Sequence, residues 1–125
     1  TEHILFVDDE EGIVSVAERI LLRLGYRMTA FSSSLKAFER FCETPDEFDL
    51  VVTDQTLPHM TGTELIGKVR EVRPEMPIII CTGYSHDLNE DQARKLGARS
   101  MVMKPFSIES LAGAVRNALD SPEPD

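Results

Sequence analysis

Short apolar runs alternate with amphipathic stretches along the whole chain, and this alternation limits the fold more than any other feature of the sequence. Five runs predict β-strands, and after each of them the apolar residues recur at helical spacing. The predicted strands cover residues 4–7, 26–31, 48–53, 77–81 and 100–103. Such alternation is typical of βαβ crossovers, which build a parallel sheet with helices on both faces. The sequence therefore predicts a single α/β domain.

The predicted helices carry local start and stop signals. Gly25 follows the apolar stripe of the first helix, where a left-handed cap is expected. Thr61 and Glu64 have the spacing of a capping box for the third helix, and Ser107 is the expected N-cap of the fifth. The fourth helix, residues 87–96, has the weakest apolar pattern. Helical spacing places these side chains of the second, third and fifth helices toward the core: Leu35, Phe38, Phe41, Cys42, Leu65, Ile66, Val69, Val72, Ile108, Leu111, Ala112, Val115, Ala118 and Leu119.

Length and charge restrict the number of domains and the kind of partner. A chain of 125 residues is the size of one domain, which we expect to span residues 1–120, with a polar tail at 121–125. The 22 acidic residues outnumber the 13 Lys and Arg residues and give a formal net charge of −9. Sequence-neutral binding to nucleic acid needs clustered Lys and Arg, so no nucleic-acid partner is expected. The apolar runs are far shorter than the roughly 20 residues of a membrane span, so no membrane contact is expected either.

The cysteines and histidines show no pattern of a metal site or a disulfide. Cys42 and Cys81 form no CxxC pair, and no histidine lies at ligand spacing from them. We interpret both cysteines as small buried apolar residues, which suits a reducing cytosol and predicts a cytoplasmic location. His3, His59 and His86 are scattered, which indicates surface polar roles.

Polar and charged residues stand where the predicted strands end. Asp8 and Asp9 follow the first strand, Asp54 the third, Thr82 the fourth and Lys104 the fifth. Ligands bind beyond the carboxyl ends of the strands in an open parallel sheet, so these side chains are expected to converge. The sequence contains neither GxGxxG nor GxxxxGK(S/T), so a dinucleotide site or a P-loop has no support.

Each of these residues also has a purely structural explanation when it is taken alone. Asp9 could cap the first helix, Asp54 could serve in a turn, and Lys104 could be a solvated loop charge. Their joint placement at successive strand ends favours a site instead. Carboxylates a few ångströms apart repel one another, and a hard divalent cation such as Mg²⁺ relieves that repulsion. A carboxylate beside such a cation and a lysine can attack a phosphoryl group and form an aspartyl phosphate.

Four segments together resemble the receiver domain of two-component response regulators, and the resemblance covers residues from about 3 to 119. They are Val-Asp-Asp-Glu at 7–10, Asp-Gln-Thr-Leu-Pro at 54–58 with Gly62 beyond it, Cys-Thr-Gly at 81–83, and Met-Lys-Pro-Phe at 103–106. Each segment is modest alone, but their order and separation are specific together. The resemblance implies a three-layer, doubly wound (βα)5 flavodoxin-like fold with the parallel strand order 2-1-3-4-5.

The resemblance also implies roles for the residues at the strand ends. Asp54 is the expected phosphorylation site, and Lys104 pairs first with Asp54 and then with the phosphoryl group. Mg²⁺, for which Mn²⁺ can substitute, is expected to bind Asp9 directly, Asp8 through water, Asp54 itself, and the backbone carbonyl of Thr56. These residues would let the chain catalyse its own phosphorylation and a slow dephosphorylation.

Further positions of the family imply a conformational switch, and several carry unusual residues here. Thr82 is expected to donate its hydroxyl to the phosphoryl group, and Met101 replaces the aromatic residue that moves inward with it, so we expect a muted switch. Tyr84 is expected to hinder attack by water and prolong the life of the aspartyl phosphate. Pro105 occupies the family's cis-proline position. Gln55 replaces an apolar residue and has no explanation at the level of sequence.

The function implied by the resemblance is that of a phospho-acceptor in a two-component phosphorelay. The donor would be a phosphohistidine on a histidine kinase or a histidine phosphotransfer domain. The residues around Asp54 and Thr82 are similar to those of receivers in hybrid sensor histidine kinases. A stand-alone receiver and a homodimer through the fifth helix are the alternatives that stay open. Two other classes are also weighed. They are a Mg-dependent phosphatase similar to haloacid dehalogenases, whose aspartyl nucleophile ends the first strand, and an interaction module that needs no phosphorylation.

Overall fold

Strands and helices alternate throughout the computed structural model, which describes residues 2–83 and 89–120. The strands are β1 (His3–Val7), β2 (Arg27–Phe31), β3 (Leu50–Asp54), β4 (Ile78–Thr82) and β5 (Ser100–Met103). The helices are α1 (Glu11–Arg23), α2 (Ser34–Glu43), α3 (Gly62–Val72), α4 (Glu90–Leu96) and α5 (Ile108–Asp120). The predicted alternation is confirmed, and no strand boundary differs from its predicted place by more than two residues.

The five strands form one parallel sheet in the order β2-β1-β3-β4-β5. β1 lies between β2 and β3, so that Ile4 has Met28 on one side and Leu50 on the other. β2 is therefore added on one side of β1, and β3 and the later strands are added on the other side. This reversal opens a crevice at the carboxyl ends of β1 and β3, the usual ligand position in a doubly wound sheet. The predicted flavodoxin-like order is confirmed.

Two apolar clusters cover the two faces of the sheet. Alternate residues of a strand point to opposite faces, so Leu5 and Val7 join the cluster formed with α2, α3 and α4. Ile4 and Phe6 join the cluster formed with α1 and α5. Every residue of β1, β3 and β4 is buried, whereas β2 at the edge of the sheet is partly exposed. The result is the predicted arrangement of three layers.

The predicted helix caps are present in the structure. Gly25 has a φ of 92°, which is the left-handed conformation expected after α1. The Thr61 hydroxyl accepts from the backbone of Glu64 at 3.2 Å, and the Glu64 carboxylate accepts from the backbone of Thr61 at 3.1 Å. The Ser107 hydroxyl accepts a 3.0 Å bond from the N–H three residues on. α4 starts later than predicted because Asn89 caps it, and the predicted start at residue 87 lies outside the described residues.

Four side chains that were predicted to face the core are exposed, namely Leu35, Cys42, Val72 and Ile108. α2 buries Ser34, Ala37 and Phe41. Leu35 and Cys42 each follow one of these buried residues by one position, a rotation of about 100° that turns a side chain away from the sheet. Val72 and Ile108 stand at the last position of α3 and the first position of α5. The apolar stripes are thus wider and longer than the faces that the sheet covers.

His3 is buried, so the prediction of a surface role is wrong for this histidine. It opens a central strand, where its Nε2 lies 2.7 Å from the Thr29 hydroxyl and its ring lies 4.7 Å from that of Phe48. His59 is exposed as predicted. His86 lies outside the described residues.

The helices described for residues 2–83 and 89–120 are too short or too polar to cross a membrane. The longest of them, α1 and α5, have 13 residues each.

Candidate functional site

Two aspartates and a lysine meet at the carboxyl ends of three strands. Asp8 directly follows β1, Asp54 is the last residue of β3, and Lys104 directly follows β5. Lys104 Nζ lies 2.8 Å from Oδ2 of Asp8 and 3.1 Å from Oδ1 of Asp54. One ammonium group therefore connects three strands of the sheet at the crevice.

Asp9 completes a cluster of three carboxylates. One oxygen from each of Asp8, Asp9 and Asp54 lies within 4.8 Å of the others. Asp8 and Asp54 are 1% and 5% exposed, whereas Asp9 is open to solvent. Lys104 pairs with Asp8 and Asp54 in this cluster of three carboxylates, so negative charge is in excess when all of them are ionised. A set of oxygen ligands of this kind suits a hard divalent cation.

The two carboxylate oxygens of Asp8 have different surroundings. Oδ1 accepts a 3.0 Å hydrogen bond from the N–H of Glu10, which orients the carboxylate. Oδ2 is buried and pairs with the Lys104 ammonium at 2.8 Å, and it has no other partner within the described part of the chain. A buried carboxylate oxygen in this state keeps lone pairs for a further electropositive group. The residues at the crevice therefore fit a divalent cation.

The surroundings of Asp54 disfavour its negative charge. Burial raises the pKa of its carboxyl group, and the charge of Asp8, with a smaller part from Asp9, raises it further. The positive charge of Lys104 opposes these effects without cancelling them. Positive charge brought next to Asp54 therefore stabilises its carboxylate, and removal of the carboxylate charge relieves the repulsion.

Lys104 keeps its proton in this site. Burial by itself would lower the pKa of its ammonium group, but the hydrogen bond to Asp8 and the charges of Asp54 and Asp8 outweigh burial and raise it. The Lys104 N–H donates to the Thr82 carbonyl oxygen at 2.8 Å, and the peptide bond to Pro105 is cis, as the resemblance implied. The ammonium is thus a permanent positive charge beside Asp54 at neutral pH.

The other predicted site residues lie around this centre. Thr82 is buried at the end of β4, and its hydroxyl donates to the carbonyl oxygen of Gly83 at 3.4 Å. Thr56 is exposed two residues beyond the end of β3. Met101 is half-buried in β5 and packs on the apolar cluster shared with α2, α3 and α4. Tyr84 lies outside the described residues.

Two residues that hold the loop after Asp54 had no predicted role there. The Gln55 side-chain oxygen accepts a 2.9 Å hydrogen bond from the Thr63 N–H, which ties the residue after Asp54 to the first turn of α3. The Ser34 hydroxyl donates to the Met60 carbonyl oxygen at 2.8 Å. For Gln55, the sequence signal that could have indicated this role is a polar residue at the end of a buried strand, shortly before the capping box of the next helix.

Comparison with known proteins places the sequence among signalling domains. The family described as the response regulator receiver domain matches residues 4–116. The chain is 32% identical over 120 residues to the sensor kinase CckA of Brucella abortus, and the aligned region covers 94% of this chain and 12% of that kinase. It is 30% identical over 119 residues to the response regulator receiver protein CpdR of Brucella abortus, and the aligned region covers 94% of this chain and 97% of that protein. The chain thus spans a small part of some relatives and nearly the whole of others.

A solved structure shares the complete architecture. It is a response regulator receiver domain protein from Clostridium thermocellum, with a TM-score of 0.90 and 30% sequence identity. The match covers 96% of this chain and 95% of the other.

Proposed function

The chain belongs to the response regulator receiver domain family, and on that basis we propose that Asp54 accepts a phosphoryl group from a phosphohistidine. One observation carries the proposal. The Lys104 ammonium lies 3.1 Å from Oδ1 of Asp54, within a cluster of three carboxylates. This arrangement combines a nucleophile, a fixed positive charge and ligands for a cation.

Receiver domains bind Mg²⁺ through an acidic pocket, and Asp8, Asp9 and Asp54 form an acidic pocket here. We propose that these carboxylates, together with the backbone carbonyl of Thr56, hold Mg²⁺, and that Mn²⁺ can replace it. When it is bound, Mg²⁺ supplies positive charge that offsets the charges of the carboxylates and of an incoming phosphoryl group. The remaining lone pairs of Asp8 Oδ2 support this assignment.

In the proposed transfer, a carboxylate oxygen of Asp54 forms a bond to phosphorus while the bond from phosphorus to the imidazole nitrogen of the donor breaks. The electron pair of the broken bond stays on the imidazole, and Asp54 becomes an acyl phosphate. The Lys104 ammonium, now paired with Asp54 Oδ1, donates instead to a phosphoryl oxygen. The Thr82 hydroxyl turns from the Gly83 carbonyl to another phosphoryl oxygen. Burial of Asp54 limits the access of water, which supports a slow dephosphorylation.

Receiver domains interact with histidine kinases or phosphotransfer proteins, and we propose such a protein as the cytoplasmic partner of this chain. The proposed domain spans residues 1–120, with 121–125 as a polar tail. Because a sensor kinase and a receiver protein of similar length both occur among the relatives, hybrid-kinase and stand-alone forms are both candidates. The net charge of −9 supports a partner other than nucleic acid, and the exposed Met103 beside α5 supports a homodimer.

The test is incubation with Mg²⁺ and acetyl phosphate, followed by measurement of the intact mass. We expect a gain of one phosphoryl unit in the wild type and in Asp46→Asn, which changes an exposed aspartate in the loop before β3, at the opposite end of that strand from Asp54. Asp54→Asn should show no gain. Consumption of acetyl phosphate without any gain in mass would favour the phosphatase alternative. Absence of both reactions would favour an interaction module.

A further inference from the structure

Gln55 is a buried polar residue directly beyond Asp54, with 9% of its surface exposed. Its backbone and side chain make three hydrogen bonds to neighbouring elements. The Gln55 N–H donates to the Cys81 carbonyl oxygen of β4 at 2.9 Å, and its carbonyl oxygen accepts from the Gly62 N–H at 3.0 Å. The side-chain oxygen accepts from the Thr63 N–H at 2.9 Å. Gln55 therefore joins the end of β3 both to β4 and to the start of α3.

The start of α3 is packed directly against the backbone of the acceptor residue. A side chain at Gly62 would collide with the carbonyl oxygen of Asp54 and would come within 2.9 Å of the Gln55 Cα atom. The first N–H groups of a helix have no partner within the helix. At α3, Thr61 accepts from the Glu64 N–H, and Gln55 accepts from the Thr63 N–H. The two side chains share the task of capping, but only Gln55 is a neighbour of Asp54.

The other end of the β3–α3 loop is held independently. The Ser34 hydroxyl of α2 donates to the Met60 carbonyl oxygen at 2.8 Å, and Met60 is buried. His59 next to it has a φ of 71°, and the Met60 N–H donates to the Pro58 carbonyl oxygen at 2.8 Å. A non-glycine residue in this conformation persists only where its surroundings determine the backbone. The loop is thus anchored at both ends, with Thr56 between the anchors.

We propose that Gln55 is a positioning residue of the phosphoryl-acceptor site. Its side-chain bond to the Thr63 N–H holds the segment after Asp54, and with it the Asp54 carboxylate and the Thr56 carbonyl, in the arrangement that binds a divalent cation. This inference rests on the proposed function. It also explains why a polar residue occupies a buried position where the family usually has an apolar one.

The experiment compares two variants that each remove one side-chain acceptor from the start of α3. Gln55→Met keeps the length of the side chain without the acceptor, and Thr61→Ala removes the other acceptor. Calorimetric titration with MgCl₂ measures the affinity for Mg²⁺, and thermal unfolding measures stability. We expect both variants to lower the Tm, but only Gln55→Met to weaken Mg²⁺ binding, by about tenfold, which is typical for loss of a group that orients a metal ligand.

Two further variants complete the comparison. Gln55→Glu retains an acceptor for the Thr63 N–H, so hydrogen-exchange protection of that amide and Mg²⁺ affinity should be at least those of the wild type. Gln55→Asn keeps an amide but is one methylene shorter, so its Mg²⁺ affinity should fall as in Gln55→Met, and it serves if that variant does not fold.

Equal Mg²⁺ affinities for Gln55→Met, Thr61→Ala and the wild type would overturn the inference and leave Gln55 as a helix cap. The proposed function would then stand, provided that the wild type gains a phosphoryl unit. A wild type that binds Mg²⁺ more tightly than Gln55→Met but gains no phosphoryl unit would support the positioning role and refute the proposed function. A wild type that binds no Mg²⁺ would overturn both.

Discussion

Among single residues, Asp54 shows most clearly how the site sets charges against one another. Asp54 and Asp8 are both buried, and removing an ion from water costs several kcal/mol even after the protein relaxes. Lys104 pairs with both carboxylates, but one ammonium cannot offset three negative charges. The pKa of the Asp54 carboxyl group is raised accordingly, by burial first and by Asp8 second. The burial and the charge repulsion at Asp54 therefore reduce the stability of the metal-free fold.

Asp54→Asn is expected to stabilise the metal-free protein by about 1 kcal/mol, the size of a typical single substitution. Asn keeps the shape of the side chain and removes a buried charge, while Lys104 keeps its 2.8 Å pair with Asp8. Unfolding by denaturant in the presence of EDTA measures the difference. Added Mg²⁺ should then raise the Tm of the wild type more than that of the variant, because it binds the folded state. A variant less stable than the wild type in EDTA would show that the Lys104 pair outweighs the repulsion.

His3 lies at the start of β1, at the opposite end of the strand from the site. It makes the free energy of unfolding depend on pH. Burial lowers the pKa of its imidazole, the charge of Arg27 lowers it further, and Glu47 pulls in the other direction. The unfolded chain takes up this proton near pH 6.5, but the folded chain takes it up only at lower pH. The contribution of neutral His3 is therefore complete above about pH 6.5 and is lost as the pH falls through the folded pKa.

His3→Gln should remove this part of the pH dependence. We expect the free energy of unfolding of the wild type to fall, relative to the variant, between pH 7.5 and pH 5.5, by at most about 1.4 kcal/mol per pH unit for one proton. Denaturant titrations at several pH values measure both proteins. Parallel curves for the two proteins would contradict the assignment to His3.

At the scale of elements, the junction of β3 and α3 links the fold to the site. α3 begins at Gly62, directly against the Asp54 carbonyl oxygen, and it is capped by Thr61 and by Gln55. A helix that starts so close to the end of a strand leaves little room for adjustment of the loop between them. The position of Asp54 is thereby determined by helix packing as well as by the sheet.

Two glycines of α3 test this close approach. Gly62→Ala should destabilise the protein by about 2 kcal/mol or more, because its Cβ atom would meet the Asp54 carbonyl oxygen, which is backbone and cannot turn aside. Gly67→Ala lies on the same helix, where no atom beyond the adjoining helix backbone stands within 4 Å of the added Cβ atom, and it should stabilise by about 0.5–1 kcal/mol. Chemical denaturation of both variants gives the comparison. Similar effects of the two substitutions would argue against the tight junction.

At the scale of the whole molecule, the sheet carries groups from both ends of the chain to one crevice. The Lys104 ammonium pairs with Asp54, and the Lys104 backbone N–H donates to the Thr82 carbonyl oxygen, so a change at Asp54 reaches β4 and β5 through direct contacts. Met101 in β5 packs on the cluster shared with α2, α3 and α4. Its unbranched side chain can follow a displacement of Thr82 without a large reorientation.

Mg²⁺ with beryllofluoride, which mimics a phosphoryl group on a carboxylate, should therefore shift the amide spectrum of β4, β5 and α4. The shifts are expected to be modest because Met101 adapts where a rigid ring would have to turn. Two-dimensional amide spectra with and without the reagent provide the measurement, and Asp54→Asn under the same conditions is the control. An unchanged spectrum for the α4 and β5 residues of the wild type would disprove the muted switch.

Much of this protein was determined by its sequence alone, because the deciding signals are local. Apolar periods marked the five strands and the helices, and the residues at the strand ends identified the acidic cluster and Lys104. The helix caps at Gly25 and Thr61 could be predicted because they depend only on residues close to them in the sequence. Parallel strand order then followed from alternation together with the resemblance.

Only the tertiary structure decided which face of each apolar helix or strand is covered and which side chains contact one another. Cys42 is exposed and His3 is buried because the layers cover only part of each helix and enclose both ends of a central strand. Gln55 could not be explained without the position of Thr63, since that contact exists only once α3 has packed against the end of β3. Burial and pairing are properties of surfaces brought together by the fold, and residue order specifies them only through that fold.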